Sequence, residues 1–264
     1  MSFDISHLLD NWDYQPGQLA VRKFTGKDGA EKVQMRLDLG ILQMNADGRP
    51  DGKKPMGSES WYDHHLDKLE QYKAEHEGED EGFVLKSNEI SRMQQEAIQY
   101  HHRYICFYQL SEYDKVVRDA ERNLRVFDFV DDYAETDELS WSLQQFRPQL
   151  IMMLTRAEGS LAIDGEEYEQ AKEVIREGIE ALNEFYDDFE RQDLKENSGE
   201  INSLEQWLEE IESNMESDSG TKPAPAATQL SEIEKLELDL KEAILREDYE
   251  RAAEVRDLIK KLKD

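Results

Sequence analysis

Apolar and polar residues alternate through Val33, Met35, Leu37, Leu39 and Ile41, the period-two pattern of a half-buried strand. A second strand-like run, Leu19 to Phe24, precedes it. Between them Gly26-Lys27-Asp28-Gly29 has hairpin-turn chemistry, since glycine and aspartate tolerate the positive φ of such turns. The pattern predicts a small β-hairpin within residues 1–60, followed by a loop over Asn45–Pro55 that is rich in Asp, Gly and Pro. From Trp61 the period lengthens. Ile90, Met93, Ala97, Tyr100, Tyr104 and Phe107 recur at steps of three and four, which predicts a long amphipathic helix ending near Leu110. Val116, Val117, Ala120, Leu124 and Phe127 mark a second helix. A third spans about Asp137 to Ala162 with Leu139, Leu143, Phe146, Leu150, Met153 and Leu154 inward, and Pro148 is expected to kink it. Tyr168, Ala171, Ile175, Ile179, Leu182 and Phe185 define a fourth, and a shorter fifth runs from Ser203 with Leu204, Trp207, Leu208 and Ile211. Ser111-Glu112-Tyr113-Asp114 and Asp164-Gly165-Glu166-Glu167 read as the N-terminal caps of the second and fourth helices.

The fold class is therefore mainly α, with a helical body over 61–215. Two of its helices open alike, as Glu112-Tyr113-Asp114-Lys115-Val116 and Glu167-Tyr168-Glu169-Gln170-Ala171. Each places a tyrosine after a short turn and an apolar residue three positions later. This resembles the second helix of tetratricopeptide repeats (TPR) and implies antiparallel helix pairs stacked in a TPR-like way. Tyr113 and Tyr168 lie 55 positions apart, against about 34 in that family, so a plain helical bundle remains the alternative.

Beyond the body, residues 216–229 include Ser217-Asp218-Ser219-Gly220-Thr221-Lys222-Pro223-Ala224-Pro225, the composition of an extended linker. Residues 230–264 then form a unit of their own. Ser231 and Glu234 make a capping box that opens a helix with Ile233, Leu236, Leu240 and Ala243 on one face. Leu245-Arg246-Glu247-Asp248 is a turn short enough to impose antiparallel packing. A second helix follows with Tyr249, Ala252, Val255, Ile259 and Leu262 on one face. A two-helix hairpin of this size has too little core to stand well alone, so its apolar stripe reads as a docking surface.

These residues, together with Glu250, Ala253, Arg256 and Asp257, resemble the UVR (UvrB/UvrC) motif over about an eighth of the chain. The departures are mild, with Tyr249 where that family usually has Phe and Val255 where Leu is common. The resemblance implies a protein–protein contact module whose hairpins pair into a four-helix arrangement. Its contact residues are then Leu236, Leu240, Tyr249, Ala252, Ala253, Arg256 and Ile259, with Arg256 and Asp257 forming register-setting ion pairs. The motif occurs in excision-repair subunits and in Clp-type unfoldases and their adaptors. No phosphate-binding loop, nuclease carboxylate set or cysteine-rich zinc segment accompanies it here, so neither label transfers with the motif.

Charge narrows the function classes further. The chain holds 61 acidic and 32 basic residues among 264, a formal net charge of −29. Phosphate backbones and anionic membranes both need clustered Lys and Arg, so neither a nucleic acid nor a membrane is expected as a direct partner. The acid excess itself reads as a solvated face. With a single cysteine, Cys106, internal disulfides are excluded, and the absence of a signal-like N-terminus points to the cytoplasm.

Candidate chemistry in the body is thin. His102 and Cys106 stand four apart on one helix and could hold zinc if His64 or His65 folded over them. The same helix buries aromatics, however, and a lone cysteine there acts as a small core residue. A Cys106 nucleophile with His102 as base lacks an oxyanion donor or third group. Asp47-x-Arg49-x-Asp51-Gly52 has Arg49 at a ligand position, which spoils a calcium loop and leaves turn chemistry. Asp131-Asp132 and Asp187-Asp188 end helices, where neighbours diverge too far to act as paired carboxylates.

The expected function is a non-enzymatic adaptor needing no cofactor, with a UVR-type hairpin that docks a protein partner or a second copy. Two alternatives stand beside it. One is an accessory role in UvrB/UvrC repair or Clp-type proteolysis; the other is an enzymatic or metal-binding N-terminal body.

Overall fold

The structure is a computed structural model that describes residues 4–15, 18–216 and Arg256. A short helix, α1 (Ser6–Leu9), leads into a three-stranded antiparallel sheet of β1 (Ala20–Thr25), β2 (Glu31–Leu37) and β3 (Gly40–Asn45), in the order β1-β2-β3. The sheet is a meander rather than the single hairpin the alternation predicts. The long second run breaks in two at Asp38-Leu39, where Leu37 pairs with Gly40 and β3 turns back along β2. Alternation hides this turn because Leu39 keeps the phase of the pattern, yet its side chain is 93 % exposed. One sheet face is apolar. Val33 and Met35 of β2 pair with Met44 and Leu42 of β3, and Val33, Met35 and Met44 are buried.

Helical structure begins, as the periodicity predicts, at α2 (Trp61–Glu75), whose N-cap Ser60 Oγ accepts a hydrogen bond from Asp63 N at 3.0 Å. It continues with α3 (Ser87–Gln109) and α4 (Tyr113–Tyr133). The predicted third helix is two helices, α5 (Asp137–Gln144) and α6 (Arg147–Asp164). Pro148 does not kink a continuous helix; it lies in the first turn of α6. There its missing N–H is no loss, because the first amides of a helix have no intrahelical acceptor. The body closes with α7 (Tyr168–Asp188), the short α8 (Gln192–Lys195) and α9 (Gly199–Glu216). The last of these starts four residues before the predicted Ser203.

The two expected N-caps are C-terminal caps of the preceding helices. Ser111 (φ 57°) and Glu166 (φ 62°) adopt the left-handed conformation. Glu112 N then reaches back to Phe107 O at 2.9 Å, and Glu167 N to Ala162 O at 2.8 Å. This is the Schellman pattern that satisfies the last carbonyls of α3 and α6. The N-caps of α4 and α7 are Glu112 and Glu167, and neither makes a side-chain capping bond. The same corner ends α2 at Glu77 and α7 at Glu190, which have φ values of 59° and 52°.

Two antiparallel pairs, α3/α4 and α6/α7, carry the body. One apolar cluster runs from the sheet (Val33, Met35, Met44, Ala46) through α3 and α4 to Trp207 and Ile211 of α9. No helix among the described residues is long and apolar enough to cross a membrane.

Candidate functional site

The densest polar chemistry of the body lies where the β3–α2 loop meets α3 and α4. Arg103 of α3 is 1 % exposed and lies between the rings of neighbouring α3 residues Tyr100 and Phe107. Its Nε and Nη2 donate to the two carboxylate oxygens of Asp119 on α4, at 2.7 and 2.8 Å. Its Nη1 donates to the loop carbonyls of Asn45 at 3.0 Å and Gly48 at 2.6 Å. Two helical turns earlier on α3, the fully buried Glu96 accepts the backbone N–H of Trp61 at 2.8 Å. It also meets Arg49 Nε at 3.1 Å and the Arg122 guanidinium. Arg118 completes the set, donating to Ala46 O at 2.9 Å and to Asp47 Oδ1 at 2.8 Å. Buried charges are tolerated when they are paired and hydrogen-bonded on every side. Here the guanidiniums and carboxylates meet one another, so the network holds a loop in place. The Asp47–Gly52 segment is turn chemistry held by arginines, with Asp47 bound to Arg118 and Asp51 at 3.2 Å from Arg49.

The histidine and cysteine candidates lie apart from that network. Cys106 is fully buried, and burial pushes its thiol up to about 12, which keeps it protonated at neutral pH. His102 Nδ1 lies 2.7 Å from Ile98 O. On α2, His65 is 2 % exposed and stacks on Trp61 with ring centroids 6.3 Å apart. Burial pulls its imidazole down to about 4, and the Glu89 carboxylate 3.7 Å away opposes that only in part. His64 sits edge-on to His65 at 5.2 Å. Among the described residues, no group of three or more His, Cys, Asp or Glu side chains is placed to hold a metal ion.

A third feature was not legible as a unit. A cleft of about 520 Å³ opens between the α4–α5 junction and the end of α7, lined by Asp131, Thr136, Asp137, Ser140, Trp141, Asp188, Phe189, Glu190 and Arg191. Its floor is aromatic: Trp141 lies 5.4 Å from Phe189 and stacks on Phe185 at 6.4 Å. Its rim is acidic. Asp131 and Asp188, each set aside as half of an adjacent acid pair, come from separate helices to one opening. Ser140 Oγ donates to Asp131, while the Arg191 guanidinium lies 5.1 Å from the Trp141 ring and donates to Asp193 at 3.1 and 3.3 Å. Arg191 and Asp193 stand two apart in sequence, but nothing local announces that the pair leans on an indole fifty residues earlier.

The docking residues Leu236, Leu240, Tyr249, Ala252, Ala253 and Ile259 lie outside the described residues, as do the linker from Ser217 onward and the hairpin turn. Arg256 alone of that set is described, helical and exposed. No curated protein and no solved structure matches the chain. Residues 231–264 match the family model described as UVR: UvrB/uvrC motif, so the chain carries a UVR motif in its C-terminal segment, where the apolar stripe and the Tyr249–Arg256 pattern place it.

Proposed function

We propose that this protein is a non-enzymatic cytoplasmic adaptor, in which the acidic helical body engages one protein and the UVR segment captures another or a second copy. The match at residues 231–264 carries the reading. Two features of the body support it. The buried ionisable groups at the sheet–helix junction are spent on holding the loop, and the thiol of Cys106 is protonated and enclosed. The helix pairs, read as TPR-like, supply an extended surface for the first partner. Tethering two modest contacts on one chain raises the effective concentration of the second once the first is made.

The test is affinity purification of the full chain beside one ending at Thr228. The adaptor reading expects a UVR-bearing protein, or a second copy, to be retained by the full chain and lost from the shortened one. Retention of the same proteins by both chains would move the contact to the body and overturn the reading. The more specific reading, a role in UvrB/UvrC repair or Clp-type proteolysis, is favoured by the same motif. The identity of the protein retained distinguishes the two pathways.

A further inference from the structure

The cleft between α5 and the end of α7 has a chemistry of its own. Trp141 and Phe189 present half-buried aromatic faces, and Asp137, Asp188 and Glu190 stand exposed around them. Among the described residues these three carboxylates have no ion-pair partner. The one cation among the described residues lining the cleft, Arg191, has its guanidinium bound to Asp193 and rests against the indole, so it leaves the rim acids uncompensated. A guanidinium over Trp141 also shows what the floor accepts: a cation against an aromatic face, which gains most where water is displaced. Carboxylates around a low-dielectric wall focus a negative potential, and a chain of net charge −29 strengthens it.

The sequence contains one stretch with three lysines in four positions, Lys260-Lys261-Leu262-Lys263. We infer that this lysine run is the occupant of the Trp141 cleft, docked on the body of the same chain. Charge complementarity selects it, and the chain is long enough to deliver it. Tyr186–Ser198 at 3.3 Å ties the beginning of α9 to the end of α7, while Arg176–Glu212 at 2.6 Å ties the last turns of α9 to the middle of α7, so α9 runs back along α7. The chain therefore leaves α9 toward the start of α7, about 25 Å from the cleft at ~1.5 Å of rise per residue. Residues 217–259 lie between the two, and each extends a chain by up to ~3.3 Å. A tether of that order supplies an effective concentration near the millimolar range, which a free basic peptide must exceed to compete. While the run is docked, a partner of the UVR segment meets a tail already engaged at one end.

The inference is tested without any partner, and so separately from the adaptor reading. An equimolar mixture of full-length ¹⁴N and ¹⁵N protein is treated with a carbodiimide, which joins lysine amines to carboxylates in direct contact, and the linked peptides are read by mass spectrometry. Links from Lys260, Lys261 or Lys263 to Asp137, Asp188 or Glu190, in peptides of a single isotope, are expected. In the full chain carrying Lys260→Glu, Lys261→Glu and Lys263→Glu, hydroxyl-radical oxidation of Trp141 is expected to rise at least two-fold, with Trp207 unchanged as the internal reference. Mixed-isotope links would replace the docking within one chain by docking between copies. Links to carboxylates elsewhere on the body, no links, or unchanged Trp141 oxidation would each overturn the inference.

Discussion

The α3/α4 and α6/α7 pairs turn the chain through matching corners, yet their interiors differ. Glu112 and Glu167 have backbone angles of −92°, 63° and −94°, 62° after left-handed Ser111 and Glu166. Inside the first pair the contacts are directional and charged: Arg103 with Asp119, Arg122 with Glu96, and Asn123 Nδ2 donating to Ala97 O at 3.0 Å. Inside the second they are steric. Gly178 of α7 faces Thr155 of α6 so closely that an added Cβ would lie 2.6 Å from the threonine Cγ2, and Gly159 receives the Trp207 ring of α9. A corner therefore fixes that two helices fold back on each other, while the interface fixes what else can join them. The charged pair has guanidinium hydrogens left over for the carbonyls of a loop; the small-residue pair offers a shallow groove for an indole.

Removing a charge from the first pair is expected to have the largest effect. Asp119→Asn leaves Arg103 buried without its counter-ion, a loss of about 3–5 kcal/mol, readable as a drop in urea midpoint at unchanged slope. Replacing both partners by apolar residues, Arg103→Met with Asp119→Leu, is expected to recover part of that loss.

Acid should divide the two pairs next. His65, against α3, has its folded value pulled down to about 4 from an ordinary 6.5. Between those values the unfolded chain binds the proton and the folded one does not, so stability falls as pH drops through that window, by about 3 kcal/mol in full. Glu158 on α6 has the opposite sign. Burial, with Glu121 and Glu177 nearby, holds it above the usual carboxylate range, so protonation favours the folded state. Hydrogen exchange corrected for intrinsic rates is expected to show α2 and α3 losing protection relative to α6 and α7 from pH 6.5 to 4. His65→Phe should flatten the difference; equal loss in both pairs would contradict it.

Gly178→Ala comes third. On an open helix face this change stabilises by up to ~1 kcal/mol, but against Thr155 it is expected to cost about 1–3 kcal/mol. Thr155→Ala in the same chain should return part of it, which a double-mutant cycle measures. The smallest effect tests the likeness itself. Ser111→Gly and Glu166→Gly each relieve a side chain in the left-handed region and should stabilise by about 1 kcal/mol, equally in thermal melts if the corners are equivalent.

Much of this architecture is legible in the amino-acid order. The stripes of α3, α4 and α7 appear as residues three and four apart, and the likeness of Glu112-Tyr113 to Glu167-Tyr168 marks two corners that do match. What escapes is whatever a local pattern leaves degenerate. Leu39 keeps the phase of a strand that has already turned back, and Pro148 reads equally as a kink or a start. Ser111 and Glu166 have capping composition but serve the helix behind them. The loop network escapes for another reason: Asn45 and Arg103, or Ala46 and Arg118, become partners only through the packing of sheet on helix. The same holds for Trp141 and Arg191, which no periodicity links.

The reach of Arg103 also bears on how the molecule comes apart. Two of its four hydrogen bonds end on backbone oxygens of the Asn45–Gly48 turn, so a chain begun at Trp61 would strand half a guanidinium in a dry interior. The sheet is thus a wall of the helical core, and calorimetry of the intact protein is expected to register a single endotherm for strands and helices together.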